Sequence, residues 1–196
     1  FLLLFILFVF VLGHQKKEWK LPSWLNLFTF LNGMLGNFLF LFSSFYVGIM
    51  YGLEKLSIFM YLPYAAGLIA AKIVGPWILK RLTWSPLAMQ LLGLSSSLLV
   101  LLIPNGFAIG VFLLSFWHVV TGSWLNKEYY QTDAAIPMDR RIVVKYTTQN
   151  KGSVIHQFLL MTLLFVLAKE MGEPIHLLLI TLNHESVPIE SVQLLI

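Results

Sequence analysis

Five histidines, at positions 14, 118, 156, 176 and 184, are the side chains of this sequence best suited to carry a proton near neutral pH. None stands in the H-E-x-x-H spacing that puts two imidazoles and a carboxylate on one helical face around zinc. There is no G-x-S-x-G serine motif and no G-x-G-D aspartate motif. The absence of cysteine removes disulfides, thiolate metal sites and thiol nucleophiles together. Asp133 and Asp139 fall in a polar passage, so no carboxylate pair sits within an apolar run to act as acid and base. These patterns point away from an enzyme and from any metal or cofactor.

What remains is a set of polar side chains inside apolar stretches, where each must find a partner or water. Asn26, Gly33, Asn37, Ser44 and Gly48 recur at spacings of seven and four and share one helical face. Such a stripe lines a polar cavity, or it packs helices closely and joins them by amide hydrogen bonds. Trp117, Thr121 and Trp124 share another face with His118 one position around it. Lys72 stands beside a small-residue ridge, Gly67, Ala71 and Gly75, and either snorkels to an interface or faces a water-filled path. The longest polar passage, "IPMDRRIVVKYTTQNKGSVIHQ" (136–157), divides in two. Its first half is a basic loop entering a helix. In the second half a helix would put Thr147, Asn150, Val154 and Gln157 on one face, flanked by Lys151 and His156, as a pathway lining or as a solvated loop.

The elements that must position these groups follow from composition. Of 196 residues 58% are hydrophobic and 11% charged, outside the range of a soluble domain, and the formal charge of +4 is too small and dispersed for nucleic acid. The expected fold is all-α, a polytopic transmembrane helix bundle of about six spans, because hydrocarbon forces spanning backbone to be helical. Apolar runs lie at 1–13, 24–53, 57–79, 84–103, 106–125, 154–168 and, weakly, 175–196, with a turn at "PNG" (104–106). We read 1–13 as the end of a truncated span, 14–23 as a basic cytoplasmic linker, and 24–196 as the bundle, with a cytoplasmic loop at about 126–153. Threading the chain back and forth collects Lys16, Lys17, Lys20, Lys80, Arg81, Lys127, Arg140, Arg141, Lys145 and Lys151 on one side and only Lys55 and Lys169 on the other. That asymmetry makes the first side cytoplasmic and the protein a multi-pass resident of a cell or inner membrane.

The passage "GLIAAKIVGPWILKRLTW" (67–84) resembles the loop motif of the major facilitator superfamily, with Gly75 at its glycine and Lys80 and Arg81 at its basic end. Leu79 stands where that motif has an acidic residue. "AAIPMDRRIVV" (134–144) is similar to the family's segment after its fourth or tenth helix, through Pro137 and Arg140 or Arg141. The resemblance implies the C-terminal half of a twelve-helix transporter, with 24–53 through 154–168 as helices seven to eleven. The tail "TLNHESVPIESVQLLI" (181–196) departs from the family by being too polar for helix twelve. The implied partners are the lipid bilayer, a small-molecule substrate and the N-terminal half of the same protein.

The implied activity is alternating access, with Asn26, Asn37, Lys72, Trp117, His118, Thr121, Asn150 and Gln157 lining the path. His118 is the best-placed group for proton coupling, as in an exporter. Two other readings are a six-helix substrate-binding subunit docked on an energising module and a non-transporting scaffold or immunity-type protein.

Overall fold

The computed structural model describes residues 21–81, 85–132 and 136–170. The expected spans at 1–13 and 175–196, and the linker at 14–20, lie outside them. Five α-helices make up the described chain: α1 (Ser23–Met50), α2 (Leu62–Arg81), α3 (Pro86–Leu101), α4 (Phe107–Gln131) and α5 (Met138–Glu170). Among the described residues three stretches are long and apolar enough to cross a bilayer, Ser23–Gly48, Leu53–Lys80 and Phe107–Gln131, and Pro86–Leu101 is a shorter apolar helix. The described residues are therefore all-helical, and the three stretches mark a membrane protein.

Local chemistry sets the helix ends. Gly52, at φ 88°, takes the left-handed turn after α1 that a side chain would resist. The chain then re-enters helix through a 3-10 turn, Leu53–Lys55, and a π-helical stretch, Ser57–Tyr61, that runs straight into α2. Ser85 caps α3, its hydroxyl accepting from the Ala88 N–H at 3.2 Å, with Pro86 in the first turn. The turn at 104–106 is a short 3-10 helix.

The expected loop at 126–153 proves almost wholly helical. Helix α4 continues to Gln131 and α5 begins at Met138, where Pro137 offers its carbonyl to the N–H groups of Arg140 and Arg141. The polar residues 138–153 are helical because one side of them packs on α1, so neither lipid nor bulk water alone decides their conformation.

Side-chain register shows how the helices run. Along α1 and α5 the contacts climb together, from Gly152 against Phe30 to Ser153 against Gly33 and His156 against Asn37, so these two helices point the same way. Gly67 meets Phe112 and Ser115, and Gly75 meets Val120, so α2 and α4 are likewise parallel. Helix α4 opposes both α3, through Gly110 with Leu101 and Thr121 with Gln90, and α1, through Phe107 with Tyr46 and Trp124 with Trp24. Every helix thus reverses the one before it.

Helix α4 is the hub: half of its most apolar window is buried, against 28% for α1 and 22% for the stretch containing α2. Two apolar clusters pack around its two ends, while a third, Ala71, Phe116 and Val120, lies on its α2 side. One, near its start, holds Leu39, Val47, Met60, Leu101, Phe107, Val111 and Leu114. The other, near its end, holds Leu21, Leu25, Trp124, Leu125, Tyr129 and Ile136. Between them lies a polar layer.

Backbone-to-backbone approach through glycine sets the α1–α5 distance. A Cβ on Gly152 would collide with the Phe30 carbonyl, and one on Gly33 with the Gln149 carbonyl, and backbone cannot yield as a side-chain tip does. Near Gly122, by contrast, the nearest atom to an added Cβ is Asn32 Nδ2 at 3.7 Å, an ordinary contact. Gly152→Val is expected to destabilise the protein by about 1–3 kcal/mol or more, while Gly122→Ala is neutral or slightly stabilising. Thermal unfolding of both variants in detergent micelles checks this contrast.

Candidate functional site

The polar layer is built where α1, α4 and α5 meet. Asn37, half-way along α1, holds His156 of α5 through Oδ1 and Nδ1 at 3.0 Å. The amide oxygen accepts, so that imidazole nitrogen donates. One turn earlier on α5, Ser153 donates to the Gly33 carbonyl at 2.9 Å. From the other side His118 of α4 reaches the Asn32 carbonyl through Nε2 at 3.1 Å, which makes Nε2 the protonated nitrogen and leaves Nδ1 an acceptor without a partner. His118 fits there because residue 36 is glycine: a Cβ would lie 2.9 Å from Nε2.

Beside these groups is a recess of about 320 Å³ lined by Gly36, Asn37, Leu39, Phe40, Tyr64, His118 and Ser153. Three helices besides α1 contribute to it: Tyr64 from α2, His118 from α4 and Ser153 from α5. Its walls combine an aromatic and aliphatic surface with an amide, an imidazole, a phenol and a hydroxyl. That mixture suits binding a small solute with both apolar and hydrogen-bonding parts. Among the described residues no three histidine, aspartate or glutamate side chains gather as metal ligands.

The remaining candidates are dispersed. Trp117 packs on Gly93 of α3, and the buried Thr121 donates to Gln90 Oε1 of α3 at 2.6 Å, so both serve the α3–α4 interface. Asn26 accepts from the Tyr129 hydroxyl at 3.2 Å at the far end of α1. Lys72 is exposed on the outer face of α2, next to exposed Ile73. Thr147, Asn150, Val154 and Gln157 are also exposed, on the side of α5 turned away from the bundle. The face that α5 turns inward is Gln149, Gly152, Ser153 and His156.

Of the motif residues, Gly75 lies against Val120, with an added Cβ 3.0 Å from its Cγ2. Lys80 is exposed near the end of α2, which Arg81 completes. Pro137 and Arg140 are exposed at the start of α5. The Arg141 guanidinium donates to the carbonyls of Ile136 (2.9 Å), Tyr130 (3.2 Å) and Thr132, joining the end of α4 to the start of α5. A cation there also suits the negative end of the α4 dipole.

Sequence reasoning missed four groups. Gln90 is fully buried, and its amide nitrogen has no partner. Asn32 is 3% exposed and both its amide atoms are unpartnered, as is Gln149 Oε1. Lys145, assigned to a basic cytoplasmic loop entering a helix, is 3% exposed. It lies ahead of the apolar stretch 154–168, and burial pushes its ammonium below the ordinary lysine pKa. The close Gly33–Gly152 approach was the available signal, since small residues on two helices mark the faces that meet.

The Thr121–Gln90 bond yields a double-mutant test. Thr121→Val leaves Gln90 Oε1 without its donor and is expected to destabilise by about 1 kcal/mol. Adding Gln90→Leu removes the stranded amide, so the double variant is expected to lose less than the sum of the singles in the same unfolding assay.

No protein-family model, no curated protein and no solved structure matches this chain, so the role of the layer rests on its own residues.

Proposed function

We propose that the chain moves a small solute across a membrane by alternating access, as one half of a larger rocking bundle of the major-facilitator kind. The observation that carries this reading is the recess at mid-helix, with its amide, imidazole, phenol and hydroxyl, flanked toward each end of α4 by an apolar cluster. A transporter needs a binding site near the bilayer centre with a barrier on either side, and polar residues placed there are expensive unless used. The outward polar stripe of α5, Thr147, Asn150 and Gln157, supports a second bundle, because a membrane helix turns such a face toward protein or a water-filled path. The alternating helix directions accord with basic termini gathered on the cytoplasmic side.

The scaffold reading draws on one specific observation, that several polar groups pair directly between helices, as Asn37 does with His156. In a scaffold these pairs are permanent and dry. In a transporter the recess must meet water from one side or the other.

Because the native chain lacks cysteine, single thiols distinguish the two. A thiol introduced as Asn37→Cys is expected to react with a small aqueous methanethiosulfonate within about tenfold of the rate at exposed Lys55→Cys, while Leu125→Cys, 0% exposed in the parent and outside the recess, stays protected. Equal protection of positions 37 and 125 removes the transport reading. On intact cells an impermeant maleimide is expected to label Lys55→Cys and spare Lys127→Cys until the membrane is opened. Labelling of both from outside overturns the orientation.

A further inference from the structure

The wall of the recess is polar without being charged. None of its lining residues is aspartate, glutamate, lysine or arginine. The helices around it supply none close by: α1 has none of the four over its whole length, and α4 has none before Lys127. Lys72 is exposed on the outer face of α2, and Lys151, two residues before Ser153, is not part of the lining. An ion entering the recess would shed water and meet no opposite charge, which native proteins avoid.

Two of the lining groups have hydrogen-bonding capacity left over. Asn37 Oδ1 accepts from His156 at 3.0 Å, while its Nδ2 has no acceptor among the described residues and is not enclosed, so its N–H groups are open to a ligand. The Tyr64 hydroxyl is open in the same way, since the hydrogen bond from Ser115 falls on the Tyr64 carbonyl. His118 and Ser153 already donate to the carbonyls of Asn32 and Gly33. What the wall offers is therefore an amide donor, matched by an acceptor oxygen. Its apolar side is aromatic: Phe40 and Tyr64 meet edge to face with ring centroids 4.7 Å apart, and Phe40, 41% exposed, has ring surface left to cover. A volume of about 320 Å³ lies at the small end of ligand pockets, which suits one ring and not a fused system.

We infer that the recess binds an uncharged, single-ring aromatic solute bearing a carbonyl or amide oxygen, which accepts from Asn37 Nδ2 while the ring packs against Phe40 and Tyr64. The inference rests on the transport reading, to whose site it gives a substrate class, but binding itself does not depend on movement. Selection is by charge and by the acceptor. An anion or cation of the same outline is rejected because it would be buried unpaired, and a hydrocarbon of that outline leaves the Asn37 amide covered and unbonded.

Benzamide is the probe, with benzoate, benzylammonium and isopropenylbenzene as its anionic, cationic and oxygen-free counterparts. Equilibrium dialysis of radiolabelled benzamide against the full chain in dodecyl maltoside micelles, with empty micelles as the blank, is expected to show saturable binding near one per chain. At neutral pH, fixed ionic strength and equal free concentration, the three counterparts are expected to compete about tenfold more weakly or worse. Phe40→Ala is expected to weaken benzamide binding about tenfold, while Phe165→Ala, at an exposed aromatic outside the recess, leaves it unchanged. Absence of saturable binding, equal competition by any counterpart, or undiminished binding by Phe40→Ala each overturn the site. Where Phe40→Ala does not fold, Phe40→Leu reads the same ring: a loss of about threefold supports the site and no loss overturns it. Thiol accessibility separates the two inferences. Benzamide binding with positions 37 and 125 equally protected keeps the site and removes transport, whereas a reactive Asn37→Cys with no benzamide binding to the parent chain does the reverse.

Discussion

Hydrocarbon offers no hydrogen bonds, so every polar group carried into a membrane helix must be answered by another helix, by trapped water or by a ligand. That constraint organises this molecule more than any single packing contact does. Helix α1 carries Asn26, Asn32 and Asn37, and two of these amides find partners on different neighbours, Tyr129 of α4 and His156 of α5. Fixing one helix to two others through amides sets rotation as well as distance, because a slip of one residue turns an amide toward lipid. The third, Asn32, answers His118 with its backbone carbonyl and has a side chain without a partner. The exception falls in the centre of the molecule.

Close approach is what lets these bonds form. Asn37 meets His156, and Ser153 meets the Gly33 carbonyl, because α1 and α5 touch backbone to backbone at Gly33 and Gly152. Dispersion gains grow with such contact, and lipid tails cannot match a complementary helix surface. The same device recurs where Gly67 admits Ser115 and Gly93 admits the Trp117 ring. Glycine is helix-weakening in water, yet here it sits where the missing side chain is occupied by a neighbour.

Much of the fold was readable from length and hydropathy alone. The apolar runs at 24–53, 57–79 and 106–125 correspond to Ser23–Gly48, Leu53–Lys80 and Phe107–Gln131, since a run of that length can only be helical in lipid. The polar stretch 138–153 was not readable in this way. Its helix exists because α1 covers one side, and hydropathy knows nothing of a neighbour 119 residues distant, the separation of Asn37 and His156. For the same reason the packed face of α5 was not readable: Thr147, Asn150, Val154 and Gln157 do share one face, the exposed one, while Gly152 and Ser153 make the contact with α1. Gln90 was overlooked as a lone amide in "MQLLGLSSS" (89–97), where only Thr121 on another helix reveals its role. Arg141 read as part of a loop signature, and its three backbone acceptors emerge only once α4 and α5 turn toward each other.

The glycine contacts also divide the bundle. Helices α1 and α5 form one close pair, and α4 gathers α2 and α3 into a close trio. Where the pair faces the trio, α1 meets α4 through side chains: the His118 ring against Gly36, Asn32 near Gly122, and stacked or tilted aromatics at the two ends. Interfaces made by side-chain tips tolerate small displacements better than interlocked backbones, because rotamers adjust while main chains cannot. The recess and the unpartnered amide of Asn32 both lie along this seam.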